Sequence, residues 1–333
     1  MKEIRVGENE AGQRLIRLLS KYLREAPDPF LYRMLRKKNI VLNGRKASGK
    51  EQTVSGDVIT IYMSDETIAK FRGVDMSCHG MKLPEIEDHR AQAFRKRIVY
   101  EDRNIIIIDK PAGMLSQRGT ADDISLVDYL TDYMLAEGEL EQQDLETFKP
   151  GIVSRLDRNT SGLVAAGKTL PGLQALNELV RRHQMIKRYI AVAEGSLEAS
   201  VRLEGYWSKD EQSNTVRITE QKRSGAAKVI TNLQPVSFFS RFGSEYSLIF
   251  VELETGKGHQ IRAHLASIGH PLAGDVKYGG HAVKERRGQL LHASELVFPS
   301  AEQLPAALKE AAAARIQAEL PEDMASFIGN VLH

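Results

Sequence analysis

The chain has 333 residues, of which 42% are hydrophobic, and a formal net charge of +2, so its length predicts two domains with an ordinary core. Its single cysteine, Cys78, excludes an internal disulfide and a zinc site built from several cysteines. The chain shows neither a hydrophobic leader nor an apolar run long enough to span a bilayer, and we therefore expect a cytoplasmic protein without a membrane partner.

Residues 1–70 are predicted to fold as a small separate domain. Leucines at helical spacing indicate a helix over 11–24, which Pro27 and Pro29 are expected to end. A second helix is predicted over 30–38, followed by a strand that enters an Asn-Gly turn and by a further strand near residue 60. Two helices followed by a short hairpin resemble the alpha-L RNA-binding motif, and this resemblance implies a domain that holds RNA by its phosphates.

Positive charge is concentrated in the second half of this domain. Residues 31–50 contain seven basic residues and no acidic one: Arg33, Arg36, Lys37, Lys38, Arg45, Lys46 and Lys50. Such a patch is typical of nucleic-acid binders, although a solvated surface face would have the same composition. The basic side chains of the second helix are expected to point away from Leu31, Met34 and Leu35, which would leave them available to RNA.

A linker over 71–94 and a large domain over 95–333 are predicted to follow. The linker is polar and lacks a sustained period, and Cys78 lies within it, which argues against a catalytic role for this cysteine. In the large domain, helices are predicted over 126–137, 174–185 and 306–320, and strands over 97–100, 105–109, 187–194, 215–218, 227–233 and 247–253. These elements follow no βαβ rhythm, so the predicted class is α+β with a largely antiparallel mixed sheet.

One carboxylate in the large domain stands between two arginines. Asp157 lies in Ser154–Gly162, a polar stretch with an apolar run on each side, which predicts a strand, an exposed turn and a second strand. We expect Arg155 and Arg158 to keep this carboxylate ionised. An ionised carboxylate without a general-base partner suits nucleophilic or electrostatic catalysis, but a surface ion pair would look the same in sequence.

A glycine-rich segment further along the chain predicts a phosphate-binding helix start. Gly256 and Gly258 allow close approach of the backbone to a ligand. From His259 onward the apolar residues have helical spacing and end at Gly269. The free N–H groups at such a helix start can bind a phosphate, and Lys257 and Arg262 add positive charge at the same end.

Together these segments resemble the RluA-type pseudouridine synthases. The two main motifs are Ser154–Gly162 and Thr255–His264, and further stretches match in the same order: Ile98–Asp102, Asp109–Gly113, Lys187–Tyr189, Gly269–Asp275, Tyr278–Gly279 and Leu291–Ala293. The resemblance covers roughly residues 95 to 300. It departs from the family at Ser154, where many members have histidine, and at Lys257, where many have arginine; both departures put fine substrate contacts in doubt.

The resemblance implies an isomerase that converts uridine to pseudouridine in RNA after flipping the nucleotide out, without a cofactor. It implies that Asp157 is the essential carboxylate, that Tyr189 stacks on the flipped base and that Arg262 pairs with the carboxylate. RNA contacts are expected from Arg155, Arg158, Lys257, His259 and Gln260, besides the basic residues of the N-terminal domain. The substrate of such a chain is more often large-subunit ribosomal RNA than transfer RNA, and a monomer is the default expectation.

Other classes fit the sequence less well. A uracil methyltransferase would need a well-placed cysteine and a cofactor loop, and a glycosidase a second carboxylate. No metal site is expected, since the spacing of His259 and His264 is not that of a zinc-binding helix. An RNA-binding or ribosome-assembly factor with an inactive site stays open. We interpret Lys110 as a turn residue and His292 as structural.

Overall fold

A computed structural model of the chain describes residues 1–73, 88–142, 144–210, 212–222, 224–284 and 286–329. Its N-terminal part contains a four-stranded antiparallel sheet made of β1 (Lys2–Arg5), β2 (Ile40–Leu42), β3 (Arg45–Lys46) and β4 (Val58–Ile61), in the order β1-β4-β2-β3. Two helices, α1 (Leu15–Tyr22) and α2 (Asp28–Arg36), pack on this sheet. Their leucines and the isoleucines of β2 and β4 form a core of their own.

The predicted N-terminal elements are present, with shifted bounds. Asn43 and Gly44 both have positive φ, as the predicted Asn-Gly turn requires. The first helix begins at Leu15 rather than at residue 11, because the preceding segment is used in turns, with Gly12 at φ 84°. Pro29 does not end a helix but lies in the first turn of α2, where its missing N–H costs no hydrogen bond.

Helices occupy both described ends of the region predicted to be a linker. One is α3 (Asp65–Arg72), which Ser64 caps by accepting a hydrogen bond from the backbone N–H of Thr67. The other is α4 (Asp88–Arg95), which buries Phe94 in the core of the large domain. Residues 74–87, and Cys78 with them, lie outside the described residues.

Eleven strands form a second sheet within the described residues: β5 (Ile98–Glu101), β6 (Ile105–Lys110), β7 (Gly151–Ile152), β8 (Ser161–Gly167), β9 (Ile186–Glu194), β10 (Val201–Asp210), β11 (Thr215–Thr219), β12 (Ala227–Arg241), β13 (Ser244–Leu253), β14 (Leu291–Val297) and β15 (Arg315–Gln317). Their order is β11-β10-β12-β13-β9-β14-β8-β6-β5, with β7 beside β8 and β15 beside β14. The β8–β14 pair is parallel and the other pairs are antiparallel, which confirms the predicted α+β class.

Four further helices accompany this sheet: α5 (Leu126–Ala136), α6 (Leu170–Arg181), α7 (Gln260–Ser267) and α8 (Glu322–Ile328). The predicted C-terminal helix over 306–320 is wrong. A 3₁₀-helix, Ala306–Ala311, is followed by Ala313 at φ 55° and then by β15. Packing overrides the helix propensity of the alanines here, because Leu308 and Ile316 are buried beside α6 and the sheet.

The sheet is what positions the site. The loop before β8, the middle of β9 and the start of α7 meet on one of its faces, and Gly162 allows the two central strands to come close. A Cβ on Gly162 would lie 2.2 Å from the carbonyl oxygen of Ala293 on β14. No helix of the described ranges has the length and hydropathy to cross a membrane.

Candidate active site

The loop between β7 and β8 carries Asp157 and is held at its backbone from several sides. The hydroxyl of Ser116 donates to the carbonyl of Leu156 at 2.7 Å and accepts from its N–H at 3.1 Å. The ammonium of Lys110 donates to the carbonyl of Arg158 at 3.1 Å, and the guanidinium of Arg286 donates to that of Asn159 at 2.7 Å. The loop therefore presents the Asp157 side chain from a fixed backbone.

The cation that contacts Asp157 comes from the opposite element. Nη1 of Arg262, in the first turn of α7, lies 2.8 Å from Oδ2 of Asp157. The other side of the guanidinium faces Asp275, which accepts from Nε and Nη2 at 2.7 Å each and is 2% exposed. Burial alone would lower the pKa of Arg262, but its hydrogen bonds to Asp275 and the two nearby carboxylates raise it, so this group stays charged.

This geometry corrects the expectation that Arg155 and Arg158 hold the carboxylate. Both side chains are exposed, although Arg155 lies at the edge of the pocket around Asp157. In the described part of the chain, the arginine that pairs with Asp157 is Arg262, 105 residues away in sequence. The prediction from the family resemblance that these two residues pair is thus confirmed.

His259 forms a second contact of the Asp157 carboxylate. Its Nε2 lies 3.7 Å from Oδ1 of Asp157, and its Nδ1 is 2.8 Å from the hydroxyl of Tyr278. Burial lowers the pKa of His259, which outweighs the opposing effect of Asp157, so the ring is neutral near pH 7. Tyr278 is itself fixed, because its hydroxyl accepts a hydrogen bond from the N–H of Val216 and its ring lies under Arg262 at 4.9 Å.

Tyr189 lines the same pocket from the sheet. It lies in the middle of β9, is 8% exposed, and shares the pocket with Asp157, Leu253 and Leu291. Burial, with the charge of Asp157 as a second cause, raises the pKa of the Tyr189 hydroxyl, which therefore remains protonated. An aromatic ring beside a carboxylate that is paired with an arginine can hold a planar base and supply a nucleophile or a negative charge next to it.

The structure separates the predicted RNA contacts into exposed and buried residues. Lys257 is exposed at the edge of the pocket. Gln260 is 2% exposed, and its side chain donates to the carbonyl of Ile230 and the hydroxyl of Thr231 while accepting from Thr255 and the backbone of Lys257. In this structure Gln260 joins its loop to β12, and its RNA contact stays a prediction. The basic residues of α2 and the following hairpin are exposed: Arg33, Arg36, Lys37, Lys38 and Arg45.

Sequence reasoning missed three residues that support the site. Asp275 and Tyr278 lie in stretches that matched the family, but a single acidic or aromatic residue there gave no sign of its contact with Arg262. Lys110 was interpreted as a turn residue. It is fully buried, and besides Arg158 its ammonium donates to the carbonyls of Pro111 and Met114 at 3.0 and 2.9 Å. Burial, with a smaller effect from Arg286, lowers the pKa of Lys110 to about 7.

A larger groove of about 960 Å³ lies on the opposite face of the sheet. Arg188 and Ile190 line it, and they alternate with Tyr189 along β9. Its charged groups are paired with one another, as Arg188 is with Glu252 and Glu295 at 2.9 and 2.6 Å. Because Asp157 and Tyr189 face the other way, this groove is not part of the site.

Among the described residues, no group of histidine, cysteine, aspartate and glutamate side chains could hold a metal ion. His264 and His292 are buried, and burial lowers the pKa of each to about 4. Each ring donates or accepts through Nδ1, His264 with Thr231 at 2.7 Å and His292 with Ser161 at 3.0 Å. Both histidines therefore join elements of the fold.

Comparisons with known proteins agree on one family. The model of the RNA pseudouridylate synthase family matches residues 104–267, which include Asp157, Tyr189 and Arg262. The chain is 34% identical over 212 residues to an uncharacterised RNA pseudouridine synthase of Mycoplasma genitalium, which covers 62% of this chain and 64% of that protein. The chain thus spans just under two thirds of that relative's length.

Two further relatives and one solved structure extend this similarity. The chain is 28% identical to the uncharacterised RNA pseudouridine synthase YlyB of Bacillus subtilis, over 99% of this chain and 97% of that protein. It is also 28% identical to the ribosomal large subunit pseudouridine synthase D of Escherichia coli, and this match covers 83% of this chain and 75% of that protein. The match to the solved structure of human RNA pseudouridylate synthase domain containing 4 covers 72% of this chain and 94% of the human chain. With a TM-score of 0.53 and 18% identity, the two proteins share the fold.

Proposed function

Because the chain belongs to the RNA pseudouridylate synthase family, we propose that it isomerises uridine to pseudouridine in large-subunit ribosomal RNA, with Asp157 as the essential carboxylate. The observation that carries the proposal is the pairing of Asp157 with Arg262 in a pocket that Tyr189 lines. A relative of 28% identity over 83% of this chain is named for large-subunit RNA, which supports this substrate over transfer RNA.

The reaction breaks the bond between N1 of uracil and C1′ of ribose, rotates the base and joins C5 to C1′. The proton on C5 leaves and N1 gains one, so the product is an isomer of the substrate. A nucleotide stacked in a helix cannot reach the pocket, and it therefore has to be flipped out before the reaction. The ring of Tyr189 supplies a stacking surface for the flipped uracil, which aromatic side chains commonly provide to single-stranded bases.

The roles of the charged groups follow from their contacts. Arg262 holds the Asp157 carboxylate in one orientation by a hydrogen bond of 2.8 Å, because its guanidinium is fixed from behind by Asp275. His259 is neutral and lies beside the free oxygen of Asp157, where it can contact the RNA. The exposed Arg155, Arg158 and Lys257 surround the entrance and are suited to phosphate contacts.

The N-terminal residues 1–70 would supply further RNA affinity. The basic side chains of α2 are exposed, whereas Leu31, Met34 and Leu35 are buried in the domain's core. These charges are suited to holding the phosphates of a structured RNA at a distance from the chemistry. This division assigns affinity to the N-terminal part and isomerisation to the part after residue 95.

The decisive experiment replaces the carboxylate. Asp157→Asn should abolish pseudouridine formation in an in vitro transcript of large-subunit ribosomal RNA, with binding of that RNA nearly unchanged. Each tenfold loss of rate corresponds to about 1.4 kcal/mol of barrier. Asp210→Asn, at the exposed end of β10, is the matched control and should keep full activity. More than about a tenth of wild-type turnover in Asp157→Asn would refute the assignment.

A further inference from the structure

Lys187 has a largely buried side chain whose ammonium has no protein partner among the described residues. It lies near the start of β9 and is 7% exposed. Its Nζ makes no hydrogen bond and no ion pair there, and burial lowers its pKa. An ammonium that is mostly withdrawn from water and lacks a protein partner is suited to binding an anion.

The other two buried lysines of the described chain are both satisfied. Lys168 lies 2.6 Å from a carboxylate oxygen of Glu101 and 2.7 Å from one of Glu139. Lys110 donates to three backbone carbonyls. Of these three lysines, Lys187 is the one without such contacts in the described residues. Because it lies next to the candidate active site, its missing partner points to a ligand of that site.

The ammonium of Lys187 lies beneath a glycine of the loop before α7. A Cβ on Gly256 would lie 2.7 Å from Nζ of Lys187. The φ angle of Gly256 is not positive, so the backbone does not require glycine here, and an added Cβ would displace the flexible end of the Lys187 side chain. Gly256 is exposed, and its missing side chain leaves the ammonium close to the molecular surface.

Two other positive features converge at this point. The loop leads into α7, an eight-residue helix whose dipole favours an anion near its start, although the N–H of Gln260 already donates to the carbonyl of Lys257. Lys257, the next residue of the loop, is exposed. Lys187 and Tyr189 point to the same face of β9 and are roughly 7 Å apart along the strand. An anion above Gly256 would thus lie beside a base stacked on Tyr189.

We propose that Lys187, Gly256 and the start of α7 form a binding site for a backbone phosphate of the RNA, next to the nucleotide that enters the pocket. This inference rests on the proposed function. The phosphate would pair with the ammonium of Lys187, for which the described residues supply no hydrogen bond or ion pair. A side chain at position 256 would displace this ammonium and stand between it and the phosphate.

The test measures RNA binding across a series of about 50 to 200 mM salt with the in vitro transcript of large-subunit ribosomal RNA. Lys187→Met should weaken binding and reduce the salt slope by roughly 0.7–0.9, the contribution of one phosphate contact. Lys187→Arg should retain the slope. Gly256→Ala should reproduce the loss seen in Lys187→Met, and the double variant should lose no more, since both changes remove the same contact.

Gly151→Ala, outside the pocket, is the control for an added methyl group. A Cβ at Gly151 would lie 3.6 Å from Leu173, which is an ordinary contact, and the slope should stay as in the wild type. Wild-type slopes in both Lys187→Met and Gly256→Ala, or additive losses in the double variant, would overturn the phosphate site. If Lys187→Met does not fold, as judged by circular dichroism, an unchanged slope in Gly256→Ala alone overturns it.

Pseudouridine formation by the wild type in the same RNA separates this inference from the proposed function. A Lys187-dependent slope without pseudouridine would mean that the reaction is wrongly assigned while the phosphate site stands. Pseudouridine formation with a slope that does not depend on Lys187 would mean that the phosphate site alone is wrong.

Discussion

Replacing Asp275 by asparagine should destabilise the large domain and impair the reaction together. Asp275 accepts two hydrogen bonds of 2.7 Å from the guanidinium of Arg262, and both residues are more than nine-tenths buried. The change keeps one acceptor oxygen and sets an NH₂ group against the second N–H donor. Arg262 would then hold a buried charge with only Asp157 to balance it.

The magnitude follows from these two bonds. A hydrogen bond to a charged group contributes about 1.5–3 kcal/mol, and removing one partner of a buried ion pair costs about 3–5 kcal/mol. Since one acceptor remains, we expect the free energy of unfolding to fall by about 3 kcal/mol. We also expect kcat/KM to fall at least about tenfold, because the orientation of Arg262 at Asp157 is no longer fixed.

Urea unfolding followed by the fluorescence of Trp207 measures the stability. Trp207 is the only tryptophan of the chain and lies in β10, so it reports on the large sheet. Glu252→Gln is the matched control, because its pair with Arg188 is about 40% exposed on each side and should contribute at most about 1 kcal/mol. A loss in Asp275→Asn no larger than in this control, with normal turnover, would refute the dependence of Arg262 on Asp275.

Three further predictions concern other parts of the molecule. Tyr189→Phe should retain more RNA binding than Tyr189→Leu, because stacking needs the ring; equal binding would contradict the stacking role. Replacing Arg33 and Arg36 of α2 by glutamine should lower the salt slope by roughly 1.4–1.8, whereas an unchanged slope would mean that these charges only face solvent. Burial lowers the pKa of Lys110 to about 7 from 10.5, so the unfolded state binds more protons between these pH values. The free energy of unfolding should therefore rise between about pH 7 and pH 9, and its rise per pH unit should be up to ~1.4 kcal/mol larger in the wild type than in Lys110→Met. Urea unfolding of both proteins at several pH values measures this, and an equal dependence of the unfolding free energy on pH would rule it out.

The sequence predicted those elements whose local pattern agrees with their tertiary surroundings. β9 alternates in burial, α5 begins at Ser125 with a capping box, and Asn43-Gly44 adopts the turn that its residue types favour. β10 was missed although Val201–Glu204 alternates between apolar and polar residues, because this pattern is short and the rest of the strand, Gly205–Asp210, does not continue it. The alanine-rich stretch 306–320 was wrongly predicted as one helix, because its helix propensity is strong and the packing that overrides it is not visible in the sequence.

The site residues that lie in family motifs could be predicted from the sequence, whereas those whose role depends on long-range contacts could not. Asp157, Tyr189 and Arg262 come from three separate stretches, and the family resemblance related them. The carboxylate that fixes Arg262 could not be identified from spacing, because Asp275 acts through a buried contact made only in the folded chain. Gln260 shows the converse, since a residue inside a motif turned out to join two elements of the protein.

The loop around Asp157 is held in place by the rest of the protein, which bears on whether the protein or the RNA changes shape on binding. Lys110 and Ser116 bind its backbone from the end of β6 and the loop after it, and Arg286 binds it from a remote part of the chain, so the cost of ordering this loop is already met when the protein folds. In a reaction on a flipped nucleotide, the RNA then has to supply the deformation. Uridines in loops or weakly stacked positions cost less to extrude, and a rigid protein thereby selects them by the stiffness of the RNA as well as by its sequence.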